Sequence, residues 1–290
     1  MPSIWARSAW GERSARSAAP TGGWPKRHVW GSPRRLAPRG ARRGWPASLT
    51  AAWNTSTSWS TPLSRDVGVI VVAAGRGVRH GGAVPKQFMP LGGAPVLLHA
   101  LRPFTSHPEI AQVVVVLAAG DVASPPQWLA DLVGDMVTLA EGGAERADSV
   151  RAGLAALRAD CTVVLVHDGA RPFPSRDLID AGIGAARHGH AAVPAIPVAD
   201  TLKRATEYGQ ILGTVDRDGL WRAQTPQAFP RELLQRAHDA GLTAGVPATD
   251  DAMLVELLGA RVDLIPGSPR NLKITTADDF TLAEWYLGRL

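Results

Sequence analysis

Apolar runs separated by helical patterns organise the chain from about residue 66 onward. The runs are rich in Val, Ile, Leu and Ala, and they predict β-strands at residues 67–73, 112–117, 136–140, 162–167 and 191–197. In the first run four β-branched residues, Val69 to Val72, are consecutive and do not alternate with polar ones. Such continuity is typical of parallel strands that are covered on both faces.

Helical patterns fill most of the gaps between these strands. Three segments carry their apolar side chains on one helical face: residues 95–104, 149–158 and 177–186. A C-terminal helix is expected to begin at Thr276, where Asp279 completes an approximate capping box. The alternation predicts an α/β fold with a mostly parallel sheet flanked by helices, in which ligands bind beyond the carboxyl ends of the strands.

Residues 197–221 interrupt this alternation with polar segments around two turn signals, Tyr208-Gly209 and Asp218-Gly219. We interpret them as a projecting β-arm. A long excursion from a compact sheet is usually functional or buried against a partner, so the arm is the candidate dimer contact. The alternative is a flexible surface hairpin.

Charge divides the chain at Arg65. Residues 1–65 contain 11 Lys/Arg and a single acid, Glu12. Because the whole chain has 31 Lys/Arg and 26 Asp/Glu, residues 66–290 hold 20 and 25 and carry a balance of −5. A basic surface for nucleic acid is therefore not expected on the folded part. No apolar run reaches the length of a membrane span, so no membrane partner is expected either.

The first 65 residues are expected to be disordered and to form no part of the folded domain, residues 66–290. They contain seven of the ten Trp without helical or strand period, among Pro, Ser, Gly and Arg. They include no apolar stretch typical of a secretory signal. A start codon placed too far upstream or a dispensable tail would explain them; the alternative is a plastid-type transit peptide. With the single cysteine, Cys161, expected to be a packed side chain, we otherwise expect a cytoplasmic protein.

The loop after the first strand combines small residues with cations: Ala73, Ala74, Gly75, Gly77, Arg79 and Lys86. Small side chains let the backbone approach a ligand, and glycine permits positive φ and exposes amide N–H groups. A nucleoside triphosphate would fit such a loop. The glycine spacing also occurs in dinucleotide folds and in plain strand-to-helix turns, although no acid follows at the distance that a dinucleotide site requires.

Three further segments carry candidate chemistry. Asp168 ends an apolar strand, where a carboxylate can hold Mg²⁺ opposite a triphosphate, or can cap a helix or pair with Arg171. The glycine-led turn at 142–150 opens a helix and offers N–H groups to a base or ribose, or is merely a capped helix start. Lys273 lies in a short extended run, and a solvated surface charge is the alternative for it. His167 is expected to be a satisfied core imidazole.

Seven motifs taken together resemble a known family. In chain order they are AAGRGVR (73–79) with PKQ (85–87), ERADSV (145–150), VHDGARP (166–172), DTLKR (200–204), TVDR (214–217), TPQ (225–227) and NLKIT (271–275). Their order and spacing are similar to those of the 2-C-methyl-D-erythritol 4-phosphate cytidylyltransferases across nearly all of residues 66–290. The resemblance implies a Rossmann-like nucleotidyltransferase fold and transfer of CMP from CTP to methylerythritol phosphate, with release of pyrophosphate, in the non-mevalonate route to isoprenoids.

The resemblance also implies roles for individual residues. The catalytic cations would be Arg79, Lys86 and Lys273. The nucleotide would contact Ala73, Ala74, Gly75, Gly77, Gly143, Ser149, Asp168 and Gly169. The acceptor would contact Arg171, Thr201, Arg217, Thr225 and Thr249. Asp168 would also hold Mg²⁺, and the arm would swap across a homodimer so that Arg217 serves the neighbouring subunit.

Two departures from the family pattern affect the nucleoside end of the site. Ala144 stands where the family often has Asp, and Gly169 where it often has Ala, so the preference for cytosine is less firmly implied than nucleotidyl transfer. Two alternatives remain: a cytidylyltransferase for another polyol phosphate such as ribitol 5-phosphate, and a nucleotide-binding regulator that has lost catalysis.

Overall fold

The computed structural model describes residues 64–75 and 85–289. The expectation of disorder for residues 1–65 lies outside the described residues except at its last two positions, and the predicted site residues Gly77 and Arg79 lie outside them as well. Arg65 belongs with the domain, because its guanidinium donates to the Ile110 carbonyl at 3.2 Å.

The described residues form twelve strands and eight α-helices. The strands are β1 (Val67–Val72), β2 (Pro90–Leu91), β3 (Ala94–Pro95), β4 (Ile110–Leu117), β5 (Val137–Glu141), β6 (Val163–Asp168), β7 (Ala191–Pro197), β8 (Leu202–Ala205), β9 (Ile211–Val215), β10 (Trp221–Ala223), β11 (Gln227–Pro230) and β12 (Val262–Pro266). The helices are α1 (Val96–Thr105), α2 (Ala119–Ala123), α3 (Gln127–Ala130), α4 (Arg146–Ala156), α5 (Arg176–Arg187), α6 (Arg231–Ala244), α7 (Asp251–Leu257) and α8 (Ala277–Leu287). Across the described ranges, every helix is too short or too polar to cross a membrane.

The main sheet confirms the expected α/β architecture. Strands β6, β1, β4 and β5 are parallel neighbours, and Val72 of β1 pairs with Asp168 of β6 on one side and Val116 of β4 on the other. The antiparallel β11 lies between β6 and β7, and β12 runs parallel to β7. The apolar pattern did not predict β11 and β12. The carboxyl ends of β1 and β6 therefore lie side by side, which is where the candidate residues begin.

The core explains why the first apolar run does not alternate. Val69 and Val71 belong to one buried cluster, whereas Ile70 between them belongs to a second cluster on the opposite face. Successive strand side chains point to opposite faces, so a strand covered on both sides must be apolar at every position. Helices α1 and α5 supply residues to the first cluster, and α4 and α6 to the second.

Two of the predicted helix starts can be compared with the structure. The helix expected from residue 149 begins three residues earlier, at Arg146, where Asp148 accepts a hydrogen bond from the Glu145 N–H at 2.9 Å. The capping box at Thr276 and Asp279 is confirmed. In both helices, the side chains that cap the first turn determine the residue at which the helix begins.

The predicted β-arm forms a separate two-stranded antiparallel sheet of β8 and β9. Gly209, in the turn between them, has a φ of 82°, as its turn signal implies. Tyr208 in the same turn is 90% exposed, and Ile211 and Leu212 are each 62% exposed. The expected fold is confirmed here, and the role of the arm in a dimer stays a prediction.

Candidate active site

The end of β1 presents small residues at the mouth of a cavity. The Ala73 N–H donates to the Val116 carbonyl at 2.8 Å, and the buried Gln87 amide donates to the Ala73 carbonyl at 2.9 Å. Gly75 does not use a positive φ, and among the described residues no atom lies within 4 Å of a Cβ built on it. Glycine at this position therefore relieves no backbone strain.

A second turn packs against that strand end because two glycines permit it. A Cβ on Gly142 would lie 2.6 Å from Ala74 Cβ, and a Cβ on Gly143 would lie 2.2 Å from Asp148 Cβ. Atoms cannot approach so closely, so either substitution would push the turn away. Ser149 follows on the first turns of α4 and is buried at the same cavity.

The first cavity has a volume of about 340 Å³ and gathers residues from the segments that carry the predicted nucleotide-binding and catalytic residues. The predicted nucleotide and catalytic residues that line it are Ala73, Ala74, Gly75, Lys86, Gly143, Ser149, Asp168, Gly169 and Lys273. The structure therefore brings together every predicted member of that group that lies within the described residues.

A second cavity of about 230 Å³ lies next to the first. It contains three predicted acceptor residues, Arg171, Thr225 and Thr249. Three side chains line both cavities: Arg146, Asp168 and Lys273. We call these three residues the junction. Two ligands bound in the two cavities would meet there.

Asp168 is the anionic centre of the junction. Its Oδ2 lies 2.8 Å from Lys273 Nζ and 3.6 Å from Arg171 Nε, and its Oδ1 lies 3.7 Å from Arg146 Nε. Burial opposes its ionisation, but attraction by Lys273 and Arg146 holds the pKa of Asp168 well below its ordinary value. The predicted pairing with Arg171 is thus present together with a shorter one to Lys273. Lys273 is therefore not simply a solvated surface charge.

The C-terminal loop carrying Lys273 is fixed by backbone acceptors. Arg171 donates through Nη1 to the Asn271 carbonyl at 2.8 Å, and Lys86 Nζ donates to the Ile274 carbonyl at 3.1 Å. Burial lowers the pKa of Arg171, against the attraction of Asp168, although the side chain stays a cation at neutral pH. The bond from Lys86 joins residues that are 188 positions apart in the chain.

His167 determines what the Thr225 hydroxyl can do. The hydroxyl accepts from the Asp168 N–H at 3.0 Å and lies 3.1 Å from His167 Nδ1, while His167 Nε2 lies 3.0 Å from the Arg171 carbonyl. A carbonyl only accepts, so Nε2 carries the proton and Nδ1 receives the Thr225 proton. Burial lowers the pKa of His167 to about 4 and keeps it neutral. His167 is confirmed as a satisfied core imidazole, and Thr225 reaches the second cavity with its proton engaged.

Two predicted acceptor residues do not reach these cavities within the same chain. Thr201 and Arg217 belong to the arm region, and neither is among the residues that line the first or second cavity. The Arg217 guanidinium donates to the Ala199 carbonyl. Their predicted role depends on a neighbouring subunit and stays a prediction.

Arg146 and Asp251 are site residues that the sequence reasoning missed. Arg146 Nη1 donates to Asp251 Oδ2 at 2.7 Å, and the two positions are 105 residues apart in the chain. The motif at 145–150 contains Arg146, but local pattern shows only a helix start there. The pairing of Arg146 with the Asp251 carboxylate is what identifies both residues, and only the tertiary structure reveals it.

A separate group of potential metal ligands lies away from the junction. Ligand-type atoms of His107, Glu109 and Asp180 lie within 4.8 Å of one another. His107 Nδ1 accepts from the Glu109 N–H at 3.1 Å, and its Nε2 lies 2.8 Å from Asp180 Oδ1. Both ring nitrogens are therefore already engaged, and the group is part of a structural ion-pair network.

Comparison with known proteins places this geometry in a family. The family model described as IspD: 2-C-methyl-D-erythritol 4-phosphate cytidylyltransferase matches residues 67–289. The 2-C-methyl-D-erythritol 4-phosphate cytidylyltransferase of Alkaliphilus oremlandii is 39% identical over 74% of this chain and 92% of its own length. That of Syntrophotalea carbinolica is 44% identical over 76% and 95%.

Other relatives extend the comparison to a longer protein and to a solved structure. The bifunctional enzyme IspD/IspF of Rhodospirillum rubrum is 47% identical over 75% of this chain, which covers 56% of the bifunctional protein. The crystal structure of the Thermus thermophilus 2-C-methyl-D-erythritol 4-phosphate cytidylyltransferase superposes with a TM-score of 0.64 at 37% identity, covering 76% of this chain and 98% of that one. The predicted resemblance is confirmed: the chain is a nucleotidyltransferase and belongs to the 2-C-methyl-D-erythritol 4-phosphate cytidylyltransferase family.

Proposed function

We propose that the chain transfers CMP from CTP to the phosphate of 2-C-methyl-D-erythritol 4-phosphate in the non-mevalonate route to isoprenoids. An acceptor phosphate oxygen attacks the α-phosphorus of CTP, and the bond from that phosphorus to the β-phosphate oxygen breaks. Pyrophosphate leaves with the electron pair, and the product is 4-diphosphocytidyl-2-C-methyl-D-erythritol. The observation that carries this proposal is the junction, where cations separate a cavity sized for a nucleotide from a smaller one.

Cations are the main catalytic groups in this proposal. A phosphate oxygen needs no strong base to attack, but two anions must approach each other. A charge pair 4 Å apart is worth about 4 kcal/mol at an effective dielectric constant near 20, so a few convergent cations change the rate greatly. Lys86 and Lys273 take this role, and Arg79 joins them as a prediction.

The nucleoside end is proposed to be read by backbone and small residues. Gly143, Ser149 and Gly169 line the first cavity and would contact base and ribose. Ala144 lines it too and offers no side-chain acceptor to the cytosine amino group. Discrimination against other pyrimidine nucleotides then depends on the N–H and C=O groups of this turn.

Asp168 offers Mg²⁺ one suitable oxygen. Its Oδ2 is engaged by Lys273, whereas Oδ1 faces Arg146 Nε at 3.7 Å, which is beyond hydrogen-bond length. One carboxylate oxygen with substrate phosphates and water completing the shell is a common arrangement for Mg²⁺. We propose Asp168 as the protein ligand. The bound ion would neutralise charge on the pyrophosphate leaving group.

A homodimer is proposed to complete the acceptor site through the arm. The apolar side chains of Ile211 and Leu212 are exposed in the single chain, and Arg217 follows them on the same excursion. Exposed apolar residues on a projecting hairpin are suited to contact with a second copy of this chain. Arg217 and Thr201 would then contact the acceptor bound to the partner. A cytoplasmic location stays a prediction.

The test uses the purified full chain with CTP, Mg²⁺ and either methylerythritol phosphate or ribitol 5-phosphate. Pyrophosphate release with methylerythritol phosphate at a kcat/KM well above that with ribitol 5-phosphate is expected. The reverse preference would establish the other polyol acceptor. Binding of CTP without release of pyrophosphate on either acceptor, by folded protein, would identify a nucleotide-binding regulator and reject the enzyme.

A further inference from the structure

A line of buried polar groups leads away from the junction. Arg146 donates to Asp251 Oδ2 at 2.7 Å, and Asp251 Oδ1 lies 3.0 Å from His238 Nε2. The side chains of Asp251 and His238 are 1% and 0% exposed. Neither residue lines the first or second cavity. Their contacts run through Arg146, which lines both.

The Arg146 guanidinium is anchored on one side and has donors left over on the other. Nη1 is bonded to Asp251, Nε is too far from Asp168 for a hydrogen bond, and the buried Nη2 has no hydrogen-bond partner among the described residues. Buried N–H groups without an acceptor are rare in folded proteins and require an explanation. Arg146 lines both cavities and its side chain is 24% exposed, so an anionic oxygen bound at the junction can reach the guanidinium and accept from a donor that Asp251 does not use.

We propose that Arg146 contacts the transferred phosphate at the junction, and that Asp251, held by His238, is the positioning residue that orients it. The inference rests on the proposed function, because the junction is where donor and acceptor phosphates meet. Burial works against the charge of Arg146, but Asp251 and Asp168 raise its pKa above the ordinary value. Arg146 is thus a permanent cation.

Asp251 is held firmly enough to orient an arginine. Its N–H donates to Gln227 Oε1 at 3.2 Å, and Gln227 Nε2 donates to Asp250 Oδ2 at 2.7 Å. Asp250 in turn accepts from the Met253 N–H at 3.0 Å and caps α7. With His238 on its other oxygen, the Asp251 carboxylate cannot rotate without breaking one of its two side-chain contacts. Such fixed outer groups are a usual way of orienting the group that touches a ligand.

The competing explanation is that the Arg146–Asp251 pair only ties α4 to α7. Both explanations predict that breaking the pair destabilises the fold, since an uncompensated buried charge remains. They differ in one respect. A positioning residue acts on catalysis through Arg146, so its effect on kcat must disappear once Arg146 is removed.

The experiment is a double-mutant cycle with Arg146→Gln, Asp251→Asn and the double variant, in the full chain. Arg146→Lys tests rescue by a conservative cation, and Arg151→Gln is the matched control. Arg151 lies on the same helix and pairs with Asp148, but it lines neither cavity. Each variant is measured for kcat of CMP transfer, for affinity toward CMP, which carries the transferred phosphate, by calorimetry, and for thermal unfolding.

The proposal expects Arg146→Gln to lower kcat by about 10²-fold and Arg146→Lys to recover part of that loss. Asp251→Asn should lower kcat by about tenfold in the wild-type background and by less than about twofold beside Arg146→Gln. Arg151→Gln should stay within about twofold of wild type. Equal effects of Asp251→Asn in both backgrounds, or wild-type kcat and CMP affinity in Arg146→Gln, would overturn the proposal.

The double-mutant cycle still tests the role of Arg146 if the proposed function is rejected. Should the wild-type chain release no pyrophosphate, the enzyme proposal is rejected and the cycle is evaluated on CMP affinity. The same non-additive pattern there would support Arg146 as a phosphate contact positioned by Asp251. Additive or absent effects on affinity would reject it.

Discussion

The junction and the β-arm are built in opposite ways. Asp168 at the junction is almost enclosed and contacts three cations from three different parts of the chain. The arm forms its own two-stranded sheet and leaves Tyr208, Ile211 and Leu212 largely exposed. The junction is held by contacts within a single chain, whereas the arm is proposed to contribute to a site only through a second chain.

This difference separates two kinds of functional residue. The junction is preorganised, since its charges are held by ion pairs and backbone acceptors before any substrate binds. The arm is preorganised only in its local hairpin register, and its contribution to a site depends on association. Variants at the junction should therefore change chemistry within each subunit, and variants on the arm should change assembly and the sharing of sites.

Loss of a junction cation should have the largest effect. Lys273→Met is expected to lower kcat/KM for CMP transfer by about 10²–10³-fold, because one convergent charge is lost where the phosphates meet. Arg261→Met is the control, since Arg261 is exposed and pairs with Asp263 away from both cavities. Steady-state kinetics within threefold of wild type for Lys273→Met would place the catalytic cations elsewhere.

The pH dependence of stability tests the burial of His167, which precedes the junction residue Asp168 in the chain. The pKa of His167 is about 4 in the folded chain against an ordinary value of 6.5. Above pH 6.5 the residue is neutral in both states and its contribution is complete. As the pH falls toward 4, only the unfolded chain takes up the proton, so the free energy of unfolding should fall by about 3 kcal/mol.

Denaturant unfolding of wild type and His167→Asn between pH 7.5 and 4 isolates that contribution. The difference in free energy of unfolding between wild type and His167→Asn should become smaller as the pH falls. The wild type loses stability because its unfolded chain protonates the imidazole, whereas the variant has no imidazole to protonate. A constant difference would mean that His167 is not held neutral by burial.

On the arm, an aspartate within the exposed apolar surface should separate the subunits. Leu212→Asp is expected to convert the proposed dimer into monomers and to lower activity by about tenfold, because a charge would be buried at the proposed interface. Leu242→Asp is a matched control, since Leu242 is exposed to 59% on α6, far along the chain from the arm. Analytical ultracentrifugation measures the oligomeric state of both variants. A dimeric Leu212→Asp would show that the arm is not part of the interface.

Complementation between a variant of the first cavity and a variant of the arm distinguishes the two regions most sharply, although the activity it restores is the smallest effect expected here. Lys86→Ala and Arg217→Ala are each expected to be nearly inactive alone. In a mixture that exchanges subunits, the heterodimer has one site with both residues intact, so about a quarter of wild-type activity should return. If exchange is verified and no activity returns, Arg217 does not serve the neighbouring subunit.

Much of the fold could be predicted because apolar continuity reports burial on both faces of a strand. The run at 69–72 is uninterrupted for that reason, and the neighbouring strands β4 and β6 are buried along their whole length as well. Strand β11 was missed since its four residues are partly polar and include Pro230, and its place between β6 and β7 depends on long-range pairing. Short antiparallel insertions leave little periodic signal.

The site was predicted where the motif itself touches the cavity. Gly75, Gly143 and Lys273 met at one cavity as expected, and Arg146 was missed because its partner Asp251 lies on a different helix. Thr225 shows a second limit: it was predicted to contact the acceptor, but the engagement of its proton by His167 follows only from geometry. Tertiary pairing decides which polar atoms are available.

The most direct test follows the α-phosphate of CTP radiolabelled at that position. The account predicts that the wild-type chain moves the label into a product of methylerythritol phosphate with one pyrophosphate released per transfer. A Lys86→Met, Lys273→Met double variant that is folded and has the oligomeric state of the wild type should move almost none. Label that stays in CTP with the wild-type chain, or transfer by the double variant at the wild-type rate, would contradict the claim that the cations lining the first cavity drive the reaction.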